Sequence, residues 1–246
     1  MKHYWVSVGW IVIELLCLDA FSMSTRIMPL GDSITQGKAG RASYRYWLWN
    51  QLNSFGYDVD FVGSTTNNFN GPPFPEAFDR DHEGHWGWRT DEILVEISSW
   101  ATATQPDIVL IHLGHNDIWQ GQTISSTTNE LSQLIQILQT VNSKVTVLLA
   151  QVIPSTPSAL AALPTFNAAI PQVAANTTTP ESRVIVVDHF AGFDPFVDTY
   201  DGVHPNAVGE QKMAEQWISA LQTILGSPPN ISLTFPVEGS LLEMRE

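Results

Sequence analysis

Short runs of branched apolar residues recur along the chain, separated by longer stretches with helical spacing, and this alternation restricts the fold more than any other feature. Thr25 to Leu30, Asp58 to Gly63, Ile108 to Leu113, Lys144 to Val152 and Arg183 to Val187 read as strands. Between and after them, Tyr44 to Phe55, Thr90 to Thr102, Ser126 to Val141, Leu160 to Asn176 and Asn206 to Leu225 carry apolar residues at i, i+3 and i+4, with Thr90 as an N-cap. Strands rich in Ile, Val and Leu on both faces need cover on both sides, and a helix between successive strands is the connection that parallel pairing requires. The expected fold is therefore α/β, with three α/β/α layers around a central, mainly parallel five-stranded sheet. One stretch breaks the alternation: Ser64 to Gly87, rich in Asn, Pro, Gly and His, is longer than a compact domain usually carries without a function for it.

Composition bounds the rest. With 43% hydrophobic and 15% charged residues the chain is globular for most of its length. A net charge of -14 repels nucleic acid and anionic membrane surfaces, so a neutral substrate is expected, with no nucleic-acid partner and no stable membrane insertion. Residues 25–226 read as one domain. Residues 1–24 begin with Lys2, continue as an apolar block and end in small residues around Ala20-Phe21-Ser22, the layout of a secretory signal peptide; a true start at Met23 would make them a non-native leader and the protein cytoplasmic. Residues 227–246 open on Pro228-Pro229 and continue into a strand-like Ile231 to Phe235, a linker and truncated strand. Cys17, the only cysteine, falls in the leader, so the domain holds neither an internal disulfide nor a thiolate metal cluster.

In parallel sheets the ligand site lies beyond the carboxyl ends of the strands. Those positions hold Gly31-Asp32-Ser33-Ile34-Thr35, Gly63-Ser64, Gly114-His115-Asn116-Asp117 and Asp188-His189, with Asp201-Gly202-Val203-His204-Pro205 further along the last loop. Acyl transfer needs a hydroxyl nucleophile, a base, a carboxylate that holds the base in one tautomer, and donors aimed at an oxyanion. Ser33 supplies the hydroxyl, His204 the base and Asp201 the carboxylate, three residues before it. The Ser33 and Gly63 N–H groups and the Asn116 amide are candidate oxyanion donors. Taken singly, each has an ordinary explanation as a cap or turn residue, and only their order at successive strand ends gives them weight.

That order resembles the SGNH (GDSL-like) hydrolase superfamily, whose blocks are matched by Gly31-Asp32-Ser33, Gly63, Gly114-x-Asn116-Asp117 and Asp201-x-x-His204-Pro205. The resemblance covers about Arg26 to Leu225. Asp60-Phe61-Val62-Gly63-Ser64 and Asp81-His82-Glu83-Gly84-His85-x-Gly87-Trp88 further resemble family 3 carbohydrate esterases that deacetylate xylan. The resemblance implies a flavodoxin-like sheet and Ser33, Asp201 and His204 as a catalytic triad. It also implies an oxyanion hole of Ser33, Gly63 and Asn116, and no metal or organic cofactor. The substrate it implies is a small acyl ester or an acetylated polysaccharide. His115 departs from the small residue common at its position and, with Trp86, Trp88 and Trp119, is a candidate substrate contact.

Competing readings are weaker. No G-x-S-x-G elbow of an α/β-hydrolase occurs. His82 and His85 lack the further ligand a metal would need, and are expected with Asp81 or Glu83 to brace the long loop. His189 is a rival base, but its neighbour Asp188 is adjacent in sequence and diverges from it. Nine tryptophans also suit a noncatalytic carbohydrate-binding protein, and a broad short-chain aryl or lipid esterase of the same fold is a third reading.

Overall fold

The structure, a computed structural model, describes residues 24–228. Of the leader expected over residues 1–24 all but Ser24, and the strand expected over Ile231 to Phe235, lie outside the described residues. Among the described residues six strands are present: β1 (Thr25–Gly31), β2 (Val59–Phe61), β3 (Glu83–Gly84), β4 (Ile108–His112), β5 (Thr146–Gln151) and β6 (Val184–Asp188). The five longer ones are ordered β2-β1-β4-β5-β6 and every pairing is parallel. This is the flavodoxin-like order, which reverses at β1 and opens a crevice between β1 and β4 at their carboxyl ends. The sixth strand, β3, is two residues of the long loop that pair with Leu30 and Gly31.

A proline in the interior strand β1 looks out of place until its partners are counted. In a parallel ladder alternate residues present N–H and C=O to the same neighbour. The Ile27 carbonyl accepts from Val62 N–H and the Gly31 carbonyl from His85 N–H, so Pro29 is in phase with the β2/β3 side. β2 ends opposite Ile27 and β3 begins opposite Leu30, so the donor that Pro29 lacks falls in the gap between them.

Alternation along the strands divides the core in two. Val109, Ile111, Val147 and Leu149 pack under α3 (Thr90–Thr104), α5 (Ile124–Val141) and α6 (Leu163–Thr177). Ile108, Leu110, Leu148 and Ala150 pack under α2 (Ser43–Ser54) and α7 (Ala207–Leu225), where Leu48, Leu52, Met213, Trp217 and Leu221 are buried. Two one-turn helices, α1 (Ser33–Gln36) and α4 (His115–Trp119), follow β1 and β4 directly and are too short to show a helical period. The N-cap of α3 is Arg89, one residue before the expected Thr90: its N–H donates to Glu92 at 2.8 Å, while Thr90 N–H donates to the Asp117 carboxylate at 3.0 Å. A side chain from α4, distant in sequence, thus fixes where α3 begins. Among the described residues no helix is long and apolar enough to cross a membrane.

Candidate active site

Ser33 sits where β1 passes into α1, with Asp32 as its N-cap; the Asp32 carboxylate accepts from Ile34 N–H at 2.9 Å. The Ser33 hydroxyl lies 2.9 Å from His204 Nε2, and His204 Nδ1 lies 2.8 Å from Asp201 Oδ2. Asp201 Oδ1 accepts from the backbone N–H groups of Val203 and His204 at 3.0 and 2.7 Å. A carboxylate can only accept, so Nδ1 carries the proton and Nε2 presents its lone pair to Ser33. Burial raises the Asp201 pKa, but the hydrogen bonds from His204 and Val203 outweigh it and hold the group below the ordinary carboxylate value, so Asp201 is charged at neutral pH.

Gly63 follows β2, and a Cβ there would run into the His82 carbonyl, so no larger residue fits. Its N–H and that of Ser33 donate to no other described residue. Asn116 is held on α4 by a turn at Gly114, whose φ of 128° and contact with the Phe166 ring again require glycine. The Asn116 amide donates to the Trp88 carbonyl at 3.0 Å, and its Nδ2 lies 3.4 Å from Asp32 Oδ2. The second contact is long and correspondingly weak, so that hydrogen is the one of the two that an added acceptor could share.

Asp32 itself is fully buried, and desolvation, reinforced by the charge of Asp117, pushes its pKa up to about 7. An acid with a raised folded-state pKa favours the protonated native state, so stability falls as pH rises from about 4 to 7, the window between its unfolded and folded values. Asp32→Asn is therefore expected to flatten that loss. Thermal unfolding at pH 5 and pH 8 checks this: the wild type should lose more Tm across the interval than the variant, and equal losses would exclude Asp32 as the cause.

The long loop is bound to the nucleophile turn by a residue that no motif marks. Arg45 on α2 is completely buried. Its guanidinium donates to the carbonyls of Thr35 at 2.9 Å, Gln36 at 3.0 Å and Arg80 at 2.7 Å, and to Asn68 Oδ1 at 3.0 Å. Glu83, also buried, accepts from Ser64 N–H at 2.7 Å and lies 2.7 Å from His85 Nε2. His82 Nδ1 accepts from Gly84 N–H at 2.9 Å. The expected bracing role of Glu83, His82 and His85 is what these contacts describe. Among the described residues no three His, Cys, Asp or Glu side chains converge as metal ligands.

The candidate substrate contacts separate. Trp86 is stacked by Phe69 (4.4 Å between centroids) and by His204 (4.7 Å), and Trp88 stacks on His85 (4.6 Å) and packs with Trp100. Trp119 on α4 is half exposed. The expectation for His115 needs correction: its ring is buried, Nε2 donates to the Ile153 carbonyl at 3.0 Å, and burial lowers its pKa to about 4. The cause is local: α4 begins at His115 itself, and the turn packs the ring against His112. His189, the rival base, is buried against Trp217 at 4.4 Å, lined up with no hydroxyl or carboxylate among the described residues. Asp188 accepts instead from Phe190 and Ala191 N–H.

The profile of the GDSL-like Lipase/Acylhydrolase family matches residues 30–212. A multidomain esterase of Ruminococcus flavefaciens is 28% identical over 91% of this chain, which spans 32% of that protein's length. A carbohydrate esterase family 3 structure from Talaromyces cellulolyticus is 34% identical, with a TM-score of 0.73 over 82% of this chain and 98% of that one. A mutant acetyl esterase solved with an acetate ion is also 34% identical, with a TM-score of 0.71 over 82% of this chain and 98% of its own. On a family profile that begins at the end of β1 and runs into α7, and on a fold shared with these esterases, the chain belongs to the GDSL-like lipase/acylhydrolase family and its domain is a carboxylic ester hydrolase.

Proposed function

We propose that this domain is a serine esterase that removes short acyl groups, acetyl above all, from a polysaccharide such as xylan, with Ser33 as nucleophile, His204 as base and Asp201 as its orienting partner. The observation that carries the reading is the hydrogen-bonded series Ser33–His204–Asp201 at 2.9 and 2.8 Å, with its tautomer fixed by the carboxylate. In the first half-reaction the Ser33 oxygen attacks the ester carbonyl carbon while His204 Nε2 takes the hydroxyl proton. The carbonyl oxygen becomes an oxyanion, for which the Ser33 and Gly63 N–H groups and the Asn116 amide are the available donors. Collapse breaks the bond to the sugar oxygen, which takes the proton from His204 and departs as a hydroxyl, leaving acetyl on Ser33. Water, deprotonated by the same nitrogen, then releases acetate and restores the enzyme.

Two observations support a small acyl group on a carbohydrate. A small recess lined by Ser33, Ile34, Tyr200, His204 and Pro205 lies beside the nucleophile and the base. Similarity to carbohydrate esterases and to an acetyl esterase points the same way, and Trp119 remains as an open indole for a sugar ring. Turnover of p-nitrophenyl esters and acetate release from acetylated xylan test the reading. The specificity constant should fall about tenfold or more from acetate to octanoate. An enzyme that prefers the octanoate and leaves xylan acetyl groups intact would be a lipid esterase of this fold instead.

A further inference from the structure

We propose that Trp86, at the end of the long loop, is a positioning residue for the base: its indole holds the His204 imidazole in plane and stabilises the imidazolium formed when the proton leaves Ser33. The inference rests on the reading of Ser33 and His204 given above. The two hydrogen bonds of His204, to Ser33 at Nε2 and to Asp201 at Nδ1, both lie along the ring edge. Edge contacts at the two ring nitrogens fix the position of that edge but leave the ring able to rock about the line joining them. Contact on the face removes that freedom. The Trp86 ring lies 4.7 Å from the His204 ring at 15°, and Tyr200 lies 5.7 Å from it at 14°.

Trp86 is itself tightly held. Phe69 stacks on it at 4.4 Å and 17°, and its backbone N–H donates to Gln36 Oε1 at 2.8 Å. Gln36 is the last residue of α1, the turn that begins with Ser33, so the nucleophile and the support of the base hang on one short helix. The two aromatic neighbours differ in their surroundings. Lys38 Nζ and the Arg41 guanidinium lie 4.2 and 4.0 Å from the Tyr200 ring centre, so its π face already serves two cations. Trp86 has the neutral Phe69 beside it and the strongest quadrupole of the aromatic side chains, which makes it the partner for a new positive charge. Charged and titratable groups around His204 comprise Asp201 on its ring, Lys38, Arg41 and Glu210 around the same recess, and the buried His115.

Steady-state kinetics of Trp86→Leu and Trp86→Phe on p-nitrophenyl acetate test the proposal. A cation–π contact in a partly desolvated site corresponds to about tenfold in rate. Trp86→Leu should lower kcat by about that factor with KM nearly unchanged, and the acidic limb of its pH–rate profile should move to lower pH, because the protonated base has lost a stabilising partner. Trp86→Phe should recover most of the rate. An indole that served only to bind substrate would raise KM instead and leave the limb in place, and that result, or wild-type kcat in Trp86→Leu, overturns the proposal. Should Trp86→Leu fail to fold, site-specific fluorotryptophans at position 86 keep the shape and weaken the π face; kcat must then fall with each added fluorine, and a rate indifferent to fluorination overturns it. Ser33→Ala, measured beside them, separates the two levels: full activity there defeats the nucleophile reading itself, whatever Trp86 does.

Discussion

Asp201→Asn is expected to lower kcat by about 10⁴ while the fold is retained. The Asp201 side chain makes three contacts, and the substitution affects them unequally. Its Oδ1 accepts from the backbone N–H groups of Val203 and His204, which an amide oxygen can still do. Its Oδ2 faces His204 Nδ1 at 2.8 Å. An amide NH₂ in that place donates, so Nδ1 must accept and the ring proton moves to Nε2, where it points at the Ser33 hydroxyl and prevents transfer. The loop therefore keeps its turn and the base loses its lone pair. Turnover of p-nitrophenyl acetate, with circular dichroism to verify the fold, checks this; a loss below about tenfold would mean that Asp201 does not set the tautomer.

The second large effect concerns stability. Arg45→Leu removes a buried cation whose bonds tie Thr35 and Gln36 to Asn68 and Arg80, and leaves those acceptors unpaired in the interior. The expected cost is about 3 to 5 kcal/mol, which for a domain of this size lowers Tm by about 6 to 20 °C. Arg45→Lys should rescue little, because one ammonium cannot span acceptors on two segments that the guanidinium reaches at once. Proteolysis should begin in residues 64–87, where the bonds to Asn68 and Arg80 are lost. A variant with wild-type Tm and an uncut loop would show that the loop is held by its remaining contacts.

Much of the fold was legible because its signals are local and periodic. The five long strands and the helices that cover them appear as apolar runs and helical spacing, and parallel order followed from the crossovers. β3, α1 and α4 were not legible: each is too short to show a period, and β3 forms only where Glu83 and Gly84 pair with Leu30 and Gly31, distant in sequence. Thr90 was misread as a cap for the same reason, since the carboxylate that receives its N–H comes from Asp117 on another element.

The candidate site divides along the same line. Ser33, His204 and Asp201 stand in short motifs at strand ends, and the structure brings the three side chains together. Arg45 and Tyr200 carry no motif. An arginine inside a helical pattern reads as solvated surface, and only the loop folded over it shows that it is buried. His115 failed in the opposite direction, because adjacency to Asn116 in sequence says nothing about which way a ring turns at the start of a helix. Trp86 and Trp88 stand in a loop, and the rings stacked on them, from Phe69, His204 and His85, were out of reach of any sequence argument.

The central claim is that Ser33 is the nucleophile, and the most direct test is the rate of acetate release from p-nitrophenyl acetate by wild type and Ser33→Ala at equal concentration. The account predicts that the variant, folded and with an unaltered thermal transition, loses at least about 10³ of the rate. Acetate release by Ser33→Ala within a few-fold of the wild type would contradict it, and would take the roles of His204, Asp201 and Trp86 with it.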